Sequence, residues 1–147
     1  MNYDINELIR IFRSMNKDFM TYLSYFDDGI VKIKSYEKYE YDKQLFGNDI
    51  GPEDGPFVFP KKLAQNVIEL SEGNPRKLEN LLALDQGVLG NDPIIIEVDK
   101  NYIVRVPSGR ERGANKHWRP GGYTKEGIPE AIVDGIKEGN YRIYPAF

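Results

Sequence analysis

The sequence predicts an α+β fold in which N-terminal helices pack on a small, mainly antiparallel sheet formed by the C-terminal half. Apolar residues recur at helical spacing in the first 85 residues, whereas short apolar runs bounded by Gly and Pro dominate the rest. The chain has 147 residues, 40 % of them hydrophobic, which is enough for one domain with one core. We therefore expect a single domain, 1–147, with a helical, tyrosine-rich lead segment over 1–50 and a functional module over 55–147.

Three segments of the first half have the pattern of helices. Asp4-Ile5-Asn6-Glu7 has the form of a capping box and opens an amphipathic helix from about Ile5 to about Tyr25. Pro60 precedes a second helix over about Lys61 to Leu70. Asn74-Pro75 supplies the N-cap and the first position of a third helix. The Asn side chain can accept hydrogen bonds from free backbone amides, and the amide that Pro lacks has no helical partner at the first position.

Short apolar runs predict the strands, at Ile30–Lys34, Gly55–Pro60, Pro93–Val98, Tyr102–Val106, Glu130–Asp134 and Tyr141–Tyr144. A turn at 99–101 is expected to join the third and fourth of these as a hairpin. Seven aromatic residues lie between positions 22 and 46. We interpret them as amphipathic surface cover, with stacking on a base or ring cofactor as the alternative.

Composition excludes several classes of protein and site. The sequence has no cysteine, which excludes a disulfide framework, a thiolate metal site and a cysteine nucleophile. The one histidine, His117, would need carboxylates as fellow ligands, so we expect no metal. No apolar run approaches the roughly 18–20 residues of a membrane helix. The first residues also lack the basic flank and apolar stretch of a cleavable signal peptide.

The net charge of −3 is unevenly distributed. Residues 105–126 carry +4, whereas the rest of the chain carries −7. A protein that binds nucleic acid over its whole surface is usually basic overall, and this chain has no strong nucleic-acid signature. A positive segment on an acidic body favours a small anionic ligand or a short stretch of phosphate backbone. The alternative is a solvated loop whose charges pair with the acidic body.

The segment 107–129 is the candidate binding loop, since eight of its 23 residues are Gly or Pro and the only Trp lies in it. Arginine forks bind phosphate or carboxylate in bidentate fashion, and aromatic rings offer faces to a base or ribose. Glu130 follows the loop as a single carboxylate held at the start of a strand. With Arg105 it is the candidate catalytic residue, and the candidate ligand contacts are Ser108, Arg110, Asn115, Trp118, Arg119, Tyr123 and Thr124.

Two chemistries fit this set of residues. In the first, the carboxylate stabilises a positively charged sugar carbon or orients a nucleophile, as in glycosidic bond cleavage and ADP-ribosyl transfer. In the second, His117 works with Glu130 and with Arg119 or Lys116 in metal-free RNA cleavage. A third hypothesis is a non-enzymatic binding partner such as an immunity or adaptor protein. Structural alternatives also stand, with Glu130 an ordinary strand carboxylate and Trp118 a cap over the core.

The stretch Trp118-Arg119-Pro120-Gly121-Gly122-Tyr123-Thr124, followed by Gly127-Ile128-Pro129-Glu130-Ala131, resembles C-terminal toxin modules of bacterial polymorphic toxins. Over about residues 55–147 the chain is similar to their NAD-consuming members, of the tuberculosis necrotizing toxin and ADP-ribosyltransferase kind. In the NAD-glycohydrolase group a glutamine follows the glycine-rich turn, whereas the nearest counterpart here is Glu130. The choice between hydrolase and transferase therefore stays open.

The resemblance also implies a setting for the protein. NAD would be the substrate, and no separate cofactor is implied. The module would be delivered into the cytoplasm of a target cell as part of a larger secreted protein, and an immunity protein would neutralise it. Ribonuclease toxins share this delivery architecture and are the rival class.

Overall fold

The computed structural model describes residues 6, 21–51, 56–106, 118–119, 123–124 and 127–147. Its α+β class and antiparallel sheet confirm the predicted fold class. The strands of the described part are β1 (Ile30–Ser35), β2 (Phe57–Pro60), β3 (Pro93–Val98), β4 (Trp118–Arg119), β5 (Tyr123–Thr124), β6 (Ala131–Ile132) and β7 (Tyr141–Pro145). Five of them form one sheet in the order β6-β2-β1-β3-β7, and β4 pairs with β5 separately.

Strand β1 occupies the centre of the sheet although it comes from the first fifty residues. It pairs antiparallel with β3 along its full length, from Ile30 opposite Val98 to Ser35 opposite Pro93. On its other edge Val31 lies opposite Phe59 of β2. The lead segment therefore supplies the strand that joins the two halves of the sheet.

Two helices follow strands directly, α1 (Tyr36–Phe46) after β1 and α2 (Lys61–Leu70) after β2, and a third, α3 (Pro75–Leu81), follows α2. The structure confirms the predicted α2, and it confirms Asn74 as the N-cap of α3, with its side chain accepting from two backbone amides. Helix α1 was not predicted; the hydroxyl of Ser35 caps it by accepting from the Lys38 amide at 3.2 Å. Of the predicted N-terminal helix, residues 6 and 21–24 are helical and the remainder lies outside the described residues.

The two faces of the sheet bury different clusters, because successive side chains of a strand point to opposite sides. Ile30 faces a cluster that includes Tyr22, Phe26 and Ala131 of β6. Val31 and Ile33 face the other cluster, which α2 and α3 cover. By the same alternation Lys32 and Lys34 lie on the face of Ile30.

Two structural features predicted from the sequence were wrong. Residues 102–106 do not form a hairpin with β3, because β1 and β7 occupy both edges of β3. Instead, Arg105 forms an isolated antiparallel bridge with Ile132. The aromatic residues of 22–46 are also not all surface cover, since Tyr22, Phe26 and Tyr39 are buried.

Within the described residues, no helix combines the length and the apolar character needed to cross a bilayer.

A buried carboxylate holds the loop that follows α3. Glu79 is only 1 % exposed. Its carboxylate accepts from the Gly87 amide at 2.9 Å and from the Leu89 amide at 2.8 Å, and the Arg76 guanidinium lies 2.9 Å away. The side chain thus satisfies backbone donors that the loop itself leaves unpaired.

Replacing this carboxylate is expected to destabilise the fold. Glu79→Ala leaves the buried Leu89 amide without its acceptor, which should lower the free energy of unfolding by about 2–3 kcal/mol. Urea denaturation at neutral pH measures the change. The exposed Glu69 of α2 provides the control, and Glu69→Ala should change stability by no more than about 0.5 kcal/mol. Equal effects of the two substitutions would contradict this account of the loop.

Candidate functional site

Glu130 is held where the last third of the chain meets the N-terminal helical segment. The Tyr22 hydroxyl donates to the backbone carbonyl of Glu130 at 2.8 Å. On one side of Glu130, Pro129 bridges to Tyr123 of β5, and on the other Ile132 pairs with Phe57 of β2. The position of this residue is thus fixed from three directions, and two of the three contacts join segments that are distant in sequence.

Aromatic rings line the site beside Glu130. The Tyr22 and Tyr123 rings meet edge to face with their centroids 5.7 Å apart, and Phe26 meets Tyr22 in the same manner at 5.6 Å. Such contacts exclude water and present ring faces and edges to whatever lies next to them. Tyr22 is 3 % exposed, so its ring belongs to the core while its hydroxyl reaches the Glu130 backbone.

The Glu130 carboxyl has a raised pKa. Burial raises its pKa from 4.5 to about 7, and the nearby Lys32 ammonium opposes the increase. No described residue donates a hydrogen bond to its carboxyl oxygens. A carboxyl with these properties changes protonation near neutral pH, as a general base or acid must.

Lys32 is the second ionisable group of the site, on the central strand β1. Burial lowers its pKa to about 8, and the like charge of Lys34 adds to that effect. Its ammonium donates to the Phe57 carbonyl at 3.4 Å, whereas Lys34 forms an ion pair with Asp42 at 2.7 Å. Lys32 thus lacks the close carboxylate that its neighbour has within the described residues.

Arg105 was predicted to hold phosphate. It forms an antiparallel bridge with Ile132, which lies two residues after Glu130. Its guanidinium pairs with Asp134 at 3.0 Å, with both side chains largely exposed. An exposed pair of this kind contributes little to stability, so a phosphate group can replace the carboxylate at low cost.

The predicted ligand contacts of the loop are placed only in part. Strands β4 and β5 pair Trp118 with Thr124 and Arg119 with Tyr123. The two ends of the segment 118–124 therefore lie side by side as antiparallel strands. The Thr124 hydroxyl accepts from the Ile128 amide at 3.2 Å, and the residue is 2 % exposed, which leaves little of it for a ligand.

The other site predictions lie outside the described residues and stay predictions. They are Ser108, Arg110, Asn115 and His117, together with the side chains of Trp118 and Arg119.

Sequence reasoning missed Tyr22 and Lys32, although both left a signal. Lys32 alternates with Ile30 on one face of a strand, so a lysine falls on a side that also carries a core residue. Tyr22 continues the apolar spacing of Phe19 and Phe26 along the predicted helix. In both the strand pattern and the helix pattern, a side chain with a polar group stands at a position expected to face the core, which marks it as a candidate for the site.

A cavity of about 290 Å³ opens one helical turn beyond Tyr22. Its walls combine polar and apolar surface, with one acidic and one basic residue, and comprise Leu23, Phe26, Asp27, Ile30, Lys100, Tyr102 and Val104. Phe26 belongs both to this wall and to the ring pair with Tyr22. The cavity therefore adjoins the aromatic side of the site.

No protein-family model matches the chain, and a search of curated proteins finds no match.

The raised pKa of Glu130 makes stability depend on pH. The folded protein holds this proton more tightly than the unfolded chain, so the contribution of Glu130 to stability falls as pH rises from about 4.5 to about 7. Glu130→Gln keeps a neutral group and should leave stability unchanged near pH 4.5. Above pH 7 the substitution should stabilise the fold by about 2–3 kcal/mol.

Urea denaturation of the wild type and the variant across this pH range measures the difference. The exposed Glu69 again provides the control, since Glu69→Gln should give a difference that is flat with pH. If Glu130→Gln destabilised the fold at all pH values, the carboxyl would be a structural hydrogen-bonding group and not a buried acid.

Proposed function

We propose that the chain is an enzyme domain that binds NAD and cleaves or transfers at the nicotinamide–ribose bond, with Glu130 as its essential carboxylate. One observation carries the proposal: a single partly buried carboxyl with a pKa of about 7 beside the rings of Tyr22 and Tyr123. The positive segment 105–126 supports an anionic ligand next to this carboxyl.

The chemistry of the bond suits a site with one such group. When the bond between C1′ of the ribose and the nicotinamide nitrogen breaks, its electron pair neutralises the pyridinium charge, so the leaving group needs no proton. Positive charge develops on the sugar carbon, which a nearby carboxylate stabilises. Water or another nucleophile then bonds to C1′ and releases its proton, which the Glu130 carboxylate accepts. A base that titrates near the working pH is well matched to that step.

The surrounding residues suit the remainder of a dinucleotide. The Tyr123 ring would pack on the nicotinamide or ribose, with Trp118 contributing from the paired strand. Arg105 and Arg119 would hold the phosphates, Arg105 by exchanging its exposed contact with Asp134. The cavity of about 290 Å³, whose walls include Phe26 and Tyr102, would take the adenine ring.

The biological setting that we propose is that of a toxin module. It would reach the cytoplasm of a target cell as part of a larger secreted protein, and an immunity protein would block it. Consumption of NAD would suit this setting, because the loss of NAD stops the metabolism of any cell.

Nicotinamide release from NAD by the purified protein tests the proposal directly. The wild type should release nicotinamide, and Glu130→Gln should lower the rate at least about 100-fold while the protein stays folded. Glu69→Gln, a change of the same kind on an exposed helix, should keep the wild-type rate. Expression of the wild type in bacteria should stop growth, whereas Glu130→Gln should be tolerated. An unchanged rate in Glu130→Gln would refute the assigned role.

Filling the cavity tests the proposed adenine subsite. Val104 lines the cavity, so Val104→Trp should raise the KM for NAD about tenfold with little change in kcat, because only binding of the remote ring is lost. The neighbouring Ile103 is 81 % exposed, and Ile103→Trp is the control that should leave KM unchanged. Nicotinamide mononucleotide lacks the adenine, so its turnover should be equal in both variants. Equal KM values for NAD would place the adenine elsewhere.

A metal-independent ribonuclease is the second candidate, favoured by the Lys32 pKa of about 8 next to Glu130. RNA cleavage needs a base for the ribose 2′-hydroxyl and an acid for the leaving oxygen, and a carboxylate and an ammonium can fill those roles. In this model His117 would assist from the loop. Degradation of RNA by purified protein that leaves NAD intact would establish this candidate over the first.

A further inference from the structure

The two edges of the five-stranded sheet are arranged differently. At the β6 edge, Arg105 and Ile132 exchange backbone hydrogen bonds of 2.8 and 2.9 Å, so this edge is covered. At the other edge, β7 pairs with β3 on its inner side, and no segment of the described chain pairs with its outer side. An open strand edge is a template for pairing with another extended chain.

The register of β7 decides which of its backbone groups point outward. On the inner side, the Ala146 amide donates to the Pro93 carbonyl at 3.0 Å. Hydrogen-bonded pairs alternate along antiparallel strands, so the odd-numbered residues of β7 direct their backbone groups away from β3. These residues are Tyr141, Ile143 and Pro145. Together they carry two amides and three carbonyls, since proline has no amide.

Several side chains of β7 are exposed and available to a partner. Ile143, at the middle of the strand, is 37 % exposed, although its cross-strand neighbour Ile96 is fully buried. The Arg142 guanidinium contacts the Glu97 carboxylate while most of its side chain stays exposed. Pro145 is exposed as well. The edge therefore combines an apolar centre with a cation before it and a proline at its end.

This strand is complementary to a second copy of itself. Antiparallel pairing about Ile143 places that residue opposite its own copy and includes all five residues of β7. Tyr141 then lies opposite Pro145, whose carbonyl accepts from the Tyr141 amide, so both outward amides have acceptors. Arg142 lies opposite Tyr144, where a guanidinium can stack on a phenol ring. Pairing about Arg142 would instead set two like charges directly opposite each other, which is unfavourable.

We propose that β7 is a homodimer interface, at which two copies of this chain pair about Ile143 and join their sheets into one of ten strands. A second copy is the partner because a single register of the strand with itself satisfies the outward amides and matches the side chains. The contact involves one strand of each copy, and interfaces below about 1,200 Å² are typical of weak complexes, so association should be reversible. Glu130 precedes β6 at the opposite edge, so the dimer does not depend on NAD turnover.

Analytical ultracentrifugation of the purified full chain tests for this dimer. The average mass should rise from that of the monomer toward that of the dimer between roughly 10 µM and roughly 1 mM protein. Ile143→Lys and Ile143→Glu should each weaken association about tenfold or more, because like charges then lie directly opposite each other. An equimolar mixture of these two variants should dimerise again, since opposite charges then meet. Leu70 of α2 is 61 % exposed, and Leu70→Lys is the control that should associate as the wild type does.

A single cysteine provides a second test with a smaller change at the same position. The chain has no cysteine, so Ile143→Cys introduces its only thiol. In the proposed register the two Cα atoms lie about 5.5 Å apart, which is within reach of a disulfide. Mild oxidation should therefore give a covalent dimer about tenfold faster than in Leu70→Cys.

Four results would overturn the proposal. They are a wild-type protein that stays monomeric at roughly 1 mM, charged variants of Ile143 that associate as the wild type does, a mixture of these variants that fails to dimerise, and equal rates of cross-linking at positions 143 and 70. The first of them would leave the β7 edge to an extended segment of a different protein.

Discussion

The hydrogen bond from the Tyr22 hydroxyl to the Glu130 carbonyl, 2.8 Å long, is the contact on which the rest of the site depends. It joins the N-terminal helical segment to the last third of the chain and brings the Tyr22 ring beside the Glu130 backbone. Burial at this junction is the largest cause of the raised Glu130 pKa. Packing thus raises the pKa of this carboxyl, and the Tyr22 hydroxyl holds the Glu130 backbone in place.

A second glutamate shows what the same side chain does in a different environment. Glu97 binds Lys61 at 2.8 Å and accepts hydrogen bonds from Arg142 and from Tyr144. The hydrogen bond from Lys61 is the largest cause that lowers its pKa to about 2, so Glu97 stays ionised and has a structural role. Glu130 has no such donors among the described residues, and its charge is costly to the fold. That cost at one position is typical of a group kept for chemistry.

Local signals in the sequence predicted most of the fold but only part of the site. Pro60 and Asn74-Pro75 correctly predicted where α2 and α3 begin, because capping residues and proline act on the few residues next to them. The hairpin at 99–101 failed because strand pairing is decided by the whole sheet, in which β7 takes the free edge of β3. Glu130 was selected as a candidate from its place after a glycine-rich turn. Lys32 was not, because its burial depends on how the strands assemble into the sheet, which no local pattern contains.

The central claim is that packing places a carboxyl with a neutral-range pKa beside aromatic rings. NMR titration of the Glu130 side-chain carboxyl carbon in the wild-type protein measures that pKa directly. The account predicts a midpoint near pH 7. A midpoint near 4.5, the value of a solvated glutamate, would contradict it.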